Sequence, residues 1–406
     1  MILRNGSLSL LFSLALLLSI PLVGCDDKGS AGDTASDETS ADADAPADGI
    51  GVDPANQLTD NMLRMFNGVE PITVGEEVSF LTRIDDFFYK NGAEISIPDW
   101  REPVIGRDTW RMAISGLVER PLEITYADIE AESASQIEVL KTMRCVIDSN
   151  EVQGLIGTAL WRGVPLRIFL ERAAIDRVNP RRLHLTGADR FRNNVPLDRI
   201  FAPVGEQLID PILVTHMNGE PLPARHGAPV RLIINESFGY KNVKWLTGIE
   251  ATSSDEPFGT DQDAEFVDDG VMRVNSRTTN PLQNGTVSAG MVVVSGFAVS
   301  GAAGITRVEI SVNDAPFTDV ELLSEEDMLA ADPQISQSVQ VAEADRFSFP
   351  FRGVWRTWNY TFEAGPGSYE VRIRATDAAG NVQPLVDDNG IADGVNGVGR
   401  LGFRVS

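Results

Sequence analysis

One cysteine, Cys145, stands in the body of this chain, and the only other, Cys25, lies near its start. With three histidines, His184, His216 and His226, that inventory excludes a disulfide-rich scaffold, a cysteine-rich zinc site and an iron–sulfur cluster held by four thiolates of the chain. Whatever chemistry the chain performs must manage with at most one thiol in its folded part. No HExxH, GxSxG, GxxxxGK[ST] or CxxCH occurs, so a zincin, a nucleophile-elbow hydrolase, a P-loop enzyme and covalent c-type haem lack support. Asp387-Asp388-Asn389-Gly390 begins like a calcium loop, but Ile391 falls where an oxygen ligand is required, and the segment reads as a turn.

Two segments carry more. Thr142-Met143-Arg144-Cys145 is followed by Asn150-Glu151-Val152 and by Trp161-Arg162-Gly163-Val164-Pro165-Leu166. Met217-Asn218-Gly219-Glu220-Pro221-Leu222-Pro223 leads through His226-Gly227 and Pro229-Val230-Arg231 to Gly239-Tyr240-Lys241-Asn242-Val243-Lys244-Trp245. Trp110-Arg111 and Gly116-Leu117-Val118-Glu119-Arg120-Pro121-Leu122 precede them. Together they resemble the molybdopterin-binding domain of the sulfite oxidase family. Arg374-Ala375-Thr376-Asp377, Gly380-Asn381 and Gln383-Pro384 are similar to the immunoglobulin-like dimerisation domain that follows it there. The resemblance covers residues from about 80 to the end, and the order of the motifs makes it specific.

The resemblance implies a molybdenum–molybdopterin cofactor with Cys145 as the protein's one ligand to the metal, the dithiolene sulfurs coming from the pterin. His226, Arg231 and Lys244 fall at positions that hydrogen-bond the cofactor; Lys241 falls where a basic residue is common, and Gly239 where backbone approaches closely. Arginine offers a planar fork and lysine a point charge to the pterin's phosphate. The segment Phe88-Tyr89-Lys90-Asn91-Gly92 departs from the family pattern, with Lys90 in place of an arginine and Gly92 in place of a histidine. Lys90 and Arg273 are the expected substrate-side catalytic cations, and Asn91 joins the cofactor set. Asp148 replaces a common asparagine after the cysteine, and Asn150 lies further on. Between Ala251 and Asn280 no tyrosine fills the family's substrate-side position; Phe258 and Phe266 are the only aromatics, while Arg273 and Arg277 are available to compensate.

These residues need elements to hold them. Periodicity predicts strands at Trp110–Ile114, Arg182–Leu185 and Val230–Ile234 and helices at Tyr126–Ala131 and Leu166–Ala174, an α+β domain over residues 61–278. From 279 to 406 strand follows strand. Val308, Ile310 and Val312 alternate with Arg307, Glu309 and Ser311, and Tyr369, Val371, Ile373 and Ala375 with Glu370, Arg372 and Arg374. Further strands are expected at Met291–Phe297, Arg346–Phe349, Trp358–Phe362 and Leu401–Val405, with Ser324–Ala342 as an inserted loop, giving an all-β immunoglobulin-like sandwich.

The start of the chain has a different purpose. An apolar run from Leu8 to Ile20, too short at about 20 Å to cross a bilayer core of roughly 30 Å, reads with residues 1–24 as a signal peptide. Leu22-Val23-Gly24-Cys25 resembles a bacterial lipobox, which makes Cys25 the lipidated first residue of the mature protein. Residues 25–60 form an acidic tether whose composition cannot build a core. The expected location is the periplasmic side of a bacterial envelope, with Asp26 resembling an inner-membrane retention signal.

Lys and Arg number 34 against 59 Asp and Glu, and a net charge of −25 argues against nucleic acid as a partner. The leading expectation is two-electron oxygen-atom transfer on a small oxo-sulfur or related substrate. A separate electron-transfer partner such as a c-type cytochrome and a homodimer formed through the C-terminal domain accompany it. One alternative is a sulfoxide-type reductase on the same cofactor. Another is a cofactor-free lipoprotein scaffold, suggested by Arg4-Asn5 where a twin-arginine signal for folded cargo would stand.

Overall fold

The computed structural model describes residues 80–91, 99–148, 154–201, 208–256, 258–260, 266–387 and 393–406. The signal peptide, Cys25, the tether, Gly92, Asn150 and most of the calcium-like turn lie outside the described residues. The chain divides into two units, Met1–Val52 and Asp53–Ser406, and all described residues belong to the second.

The N-terminal part of that unit contains β1 (Arg111–Gly116), β2 (Leu122–Thr125), α1 (Tyr126–Ala131), β3 (Ile137–Arg144), β4 (Ile156–Pro165), α2 (Leu166–Arg172), β5 (Arg182–Gly187) and β6 (Arg192–Pro196). It continues with α3 (Leu197–Ile200), β7 (Ile212–Met217), β8 (Glu220–Pro221), β9 (Arg231–Ile233) and β10 (Leu246–Thr252). Two sheets result. One has the order β2-β1-β10-β5-β6, with β1 parallel to β10 and its other pairs antiparallel. The other runs β3-β4-β7-β8, with β9 also paired to β7. Thr125 starts α1 by a reciprocal capping box with Asp128, satisfying backbone donors the first turn leaves open. Trp110, Met112, Phe169, Leu185, Leu232 and Ile249 fill the core, and the class is α+β as expected.

The C-terminal part contains β11 (Asn275–Asn280), β12 (Thr286–Val287), β13 (Gly290–Val299), β14 (Ile305–Val312), β15 (Thr318–Asp319), β16 (Glu321–Leu322), α4 (Glu325–Ala331) and α5 (Val339–Ala342). It closes with β17 (Arg356–Ala364), β18 (Gly367–Asp377) and β19 (Arg400–Val405). A four-stranded sheet, β11-β13-β17-β16, and a five-stranded sheet, β12-β19-β18-β14-β15, enclose Val294, Ile310, Trp358 and Ile373 as an immunoglobulin-like sandwich. The expected junction between residues 278 and 279 falls inside β11, whose first residues already pair with β13.

Three local expectations are corrected. Arg346–Phe349 forms no strand: Phe347 is buried, but the segment runs through turns without a pairing partner. Ser324–Ala342 is a folded insertion, not an open loop. Ser324 and Asp327 form a capping box at α4, and Met328, Ile335 and Val339 bury one face. Gln340 then accepts from the Leu140 N–H at 3.1 Å and donates to its carbonyl at 2.6 Å, fastening the insertion to β3. Finally, Glu309 and Ser311 are buried, so both faces of β14 are covered there; Arg374 neutralises Glu309 at 2.9 Å.

Candidate cofactor site

Cys145 directly follows β3 and is partly exposed and reduced. Its N–H donates to Leu155 at 2.9 Å, and the Asp148 N–H returns to the Cys145 carbonyl at 3.1 Å, a turn that fixes the thiol at the end of the sheet. Arg144 beside it is fully buried and lies over the Phe238 ring at 5.5 Å. Its Nε stands 3.3 Å from Asp148 Oδ2, and its Nη2 donates to the carbonyls of Asp148 at 2.9 Å and Val395 at 2.8 Å. Burial pushes the Arg144 guanidinium below its ordinary value, while Asp148, Cys145 and Asp387 oppose that fall. Arg277 on β11 reaches the same carboxylate at 3.8 Å and donates to the Asp148 carbonyl at 3.0 Å, so the sandwich contributes to this end of the site. Arg273 lies 3.2 Å from Asp269 and 3.5 Å from Asp393.

A second cluster forms where the chain turns after β8. The short 3-10 turn Ala224–His226 ends at Gly227, whose positive φ of 105° and close approach to Lys244, 2.9 Å from a built Cβ, leave no room for a side chain. This packing brings His226, Arg231, Lys244 and Asn91 together. Arg231 donates to the carbonyls of His226 and Asn242, each at 3.0 Å, and lies over Trp161 at 5.1 Å. Lys244 donates to the Arg225 carbonyl at 2.9 Å and to the Asn91 side-chain oxygen. His226 packs edge-on against Phe87. Burial first, then the charges of Arg231 and Lys244, push His226 down to about 3, so its ring is neutral. Burial alone pushes Arg231 down to about 9, and it remains charged at neutral pH.

Asp189 was not singled out from the sequence. It is buried in the turn after β5, accepts from the Phe191 N–H at 3.1 Å, and has its carboxyl pushed up by burial against the lowering effect of that bond and of Lys244. The signal available was Gly187-Ala188-Asp189 closing a strand, which by itself reads as an ordinary turn. Lys90 is exposed. The Lys241 ammonium meets the Asn194 carbonyl at 3.1 Å and Asp268 at 3.5 Å, beside Arg182, which also binds Asp268 at 2.8 Å. Gly239 faces the Arg144 carbonyl and Met143 sulfur, bringing the second motif against the residues that precede Cys145.

A phosphate-bearing, thiolate-ligated group fits these residues. His226 Nε2 and Arg231 Nε are buried and have no hydrogen-bond partner among the described residues, and buried donors without acceptors are costly. Arg225, Arg231 and Lys244 put formal positive charge around them that an anion complements. Cys145 supplies a soft ligand at the other end.

The chain matches the oxidoreductase molybdopterin binding domain over residues 100–258 and the Mo-co oxidoreductase dimerisation domain over residues 269–396. It belongs to the sulfite oxidase family of molybdopterin-dependent oxidoreductases, whose cofactor is molybdenum–molybdopterin. Among its relatives, mitochondrial sulfite oxidase of Rattus norvegicus is 26% identical over 366 residues, covering 80% of this chain and 61% of the relative. Sulfite oxidase of Gallus gallus is 25% identical, covering 87% and 79%, and NADH nitrate reductase of Spinacia oleracea is 24% identical, covering 79% and 37%. The chain thus spans less than two thirds of the rat and spinach proteins. The sulfane dehydrogenase SoxCD of Paracoccus pantotrophus shares the fold, with a TM-score of 0.59 at 21% identity over 74% of this chain and 76% of that one.

Proposed function

We propose that the protein is a lipid-anchored, extracytoplasmic oxidoreductase of the sulfite oxidase type that transfers one oxygen atom to or from a small oxo-sulfur or related substrate. The observation that carries this reading is that one matched domain holds a half-open thiol, Cys145, and a donor cluster of the buried His226 and Arg231 with the half-buried Lys244. Bound molybdenum–molybdopterin supplies the two-electron oxygen-atom transfer. The chain's part is to ligate through Cys145, to hold the pterin's phosphate by His226, Arg231, Lys244 and Asn91, and to present Arg144, Arg273, Arg277 and Lys90 toward the substrate side.

In the oxidising direction, substrate and water give the oxygenated product, two protons and two electrons. The electrons pass to a separate partner such as a c-type cytochrome. The sandwich forms a homodimer, a reading supported by the match to a dimerisation domain. Cys25, preceded by Leu22-Val23-Gly24, carries the lipid; the mass of the N-terminal peptide from membrane-extracted protein tests this, and an unmodified Cys25 would contradict it.

Cys145→Ser tests the catalytic reading. It is expected to lower turnover with an artificial electron acceptor about 100-fold or more while changing stability by no more than about 1 kcal/mol in urea unfolding. Unchanged turnover would reject a metal ligated by this thiol.

A further inference from the structure

The segment from Leu81 to Asn91 touches the donor cluster at three points. Phe87 meets the His226 ring edge-on at 5.6 Å, Tyr89 lies under the Arg225 guanidinium at 4.8 Å, and the Asn91 side-chain oxygen accepts from Lys244. The start of this segment is held by the sandwich. The Leu81 N–H donates to Asp332 Oδ2 at 2.7 Å, a buried, charge-assisted bond between residues 251 positions apart. Asp332 sits where α4 ends and the 3-10 turn Pro333–Gln337 begins: its N–H donates to the Met328 carbonyl at 3.1 Å and its carbonyl accepts from Ile335 at 3.0 Å, which fixes the carboxylate. Phe80 and Leu81 share one apolar core with Met328, Ile335 and Trp355. Thr82 then joins β4, donating from its N–H to the Thr158 carbonyl at 2.8 Å, while its own carbonyl accepts from Asn218 at 2.9 Å. The 3-10 turn Ile84–Asp86 that follows has no buried residue, so its course is set by the anchored ends on either side.

We infer that the insertion between β16 and β17 is a clasp by which the sandwich positions the donor cluster, with Asp332 as its positioning residue: by holding Leu81 it sets where Phe87 meets His226 and where Asn91 meets Lys244, and so how firmly the phosphate-bearing group is kept. This rests on the cofactor reading above. Gln340, bonded to both backbone groups of Leu140, keeps the insertion on β3 and so keeps Asp332 within reach. A buried N–H that loses its acceptor must find water or stay unpaired at a cost, and the segment would have to withdraw from the junction to reach water. An asparagine at 332 still offers an oxygen; an alanine does not.

The test uses the full chain of measured molybdenum and pterin content, with backbone hydrogen exchange and the rate of pterin release as its two readouts. Asp332→Ala is expected to speed exchange over residues 81–91 about tenfold or more and pterin release by about the same factor, while β14 and β18 exchange as in wild type. Asp332→Asn should bring both rates back close to wild type. Faster exchange at Leu81 alone with pterin release unchanged, or equal acceleration throughout the sandwich, overturns the assignment. Should Asp332→Ala fail to fold, Gln340→Ala, which frees the insertion from β3 and keeps the carboxylate, is read in the same way. Protein that contains neither molybdenum nor pterin refutes the function; exchange over residues 81–91 in that protein then tests the clasp by itself, and a rate equal in wild type and Asp332→Ala rejects it.

Discussion

The two ends of the site hold their cations in opposite ways. Around His226 the cations rest on backbone carbonyls: Arg231 on those of His226 and Asn242, Lys244 on that of Arg225. Around Cys145 they rest on carboxylates: Arg144 and Arg277 on Asp148, Arg273 on Asp269 and Asp393. A carbonyl orients a cation without cancelling its charge, whereas a carboxylate does both. The first end keeps positive charge that a phosphate would complement; the second spends its positive charge on internal pairing. Residue type alone therefore does not tell an anion site from a neutral one. What decides is the partner each arginine or lysine already has.

The comparison can be broken first at Asp148. Asp148→Ala leaves Arg144 and Arg277 buried beside one another without their carboxylate, and about 3–5 kcal/mol of stability should be lost in urea unfolding. Loss of under about 1 kcal/mol would show that the two guanidiniums do not depend on it. At the other end Lys244→Met removes a charge that donates to the Arg225 carbonyl and to the Asn91 side-chain oxygen. Its expected effect is on cofactor retention, a fall of about tenfold or more in pterin affinity, with much less effect on folding. Arg273→Met, at the carboxylate-held end, should leave pterin content unchanged.

A smaller effect sharpens the same contrast through pH. His226 is neutral in the fold at about 3 and ordinarily protonates near 6.5, so the unfolded chain takes up the proton first as pH falls. Its contribution to stability is intact above 6.5 and is lost toward about 3. Cofactor-free protein should lose up to about 1.4 kcal/mol per pH unit in that window from this group, and His226→Gln should remove that part of the slope. A bound phosphate favours the charged ring and should flatten it too. Equal slopes for wild type and His226→Gln would contradict a buried neutral histidine.

Much of this was legible in the sequence, and the exceptions share a cause. Alternation located most of the sandwich strands because one-sided burial imposes a period of two, and it misled at Glu309, where both faces are covered. At Arg346–Phe349 alternating aromatics mimicked a strand where no partner strand lies among the described residues. The insertion at Ser324 announced itself by Ser324 and Asp327 at capping-box spacing, a signal outweighed by acidic composition. Cys145, His226 and Arg231 stood out because their motifs are local. Lys241 and Lys244 could not be told apart, since their directions depend on Asp268 and Asn91, which are far away in the chain. Asp189 had no local signal beyond a turn.

Carbonyl-held cations and a single thiol are together proposed to hold a molybdenum–molybdopterin group. Metal and pterin analysis of full-length protein, purified from cells competent in cofactor synthesis, tests it most directly. About one molybdenum and one pterin per chain are expected, lost together in Lys244→Met and retained in Arg273→Met. Protein from such cells that contains neither metal nor pterin would contradict it.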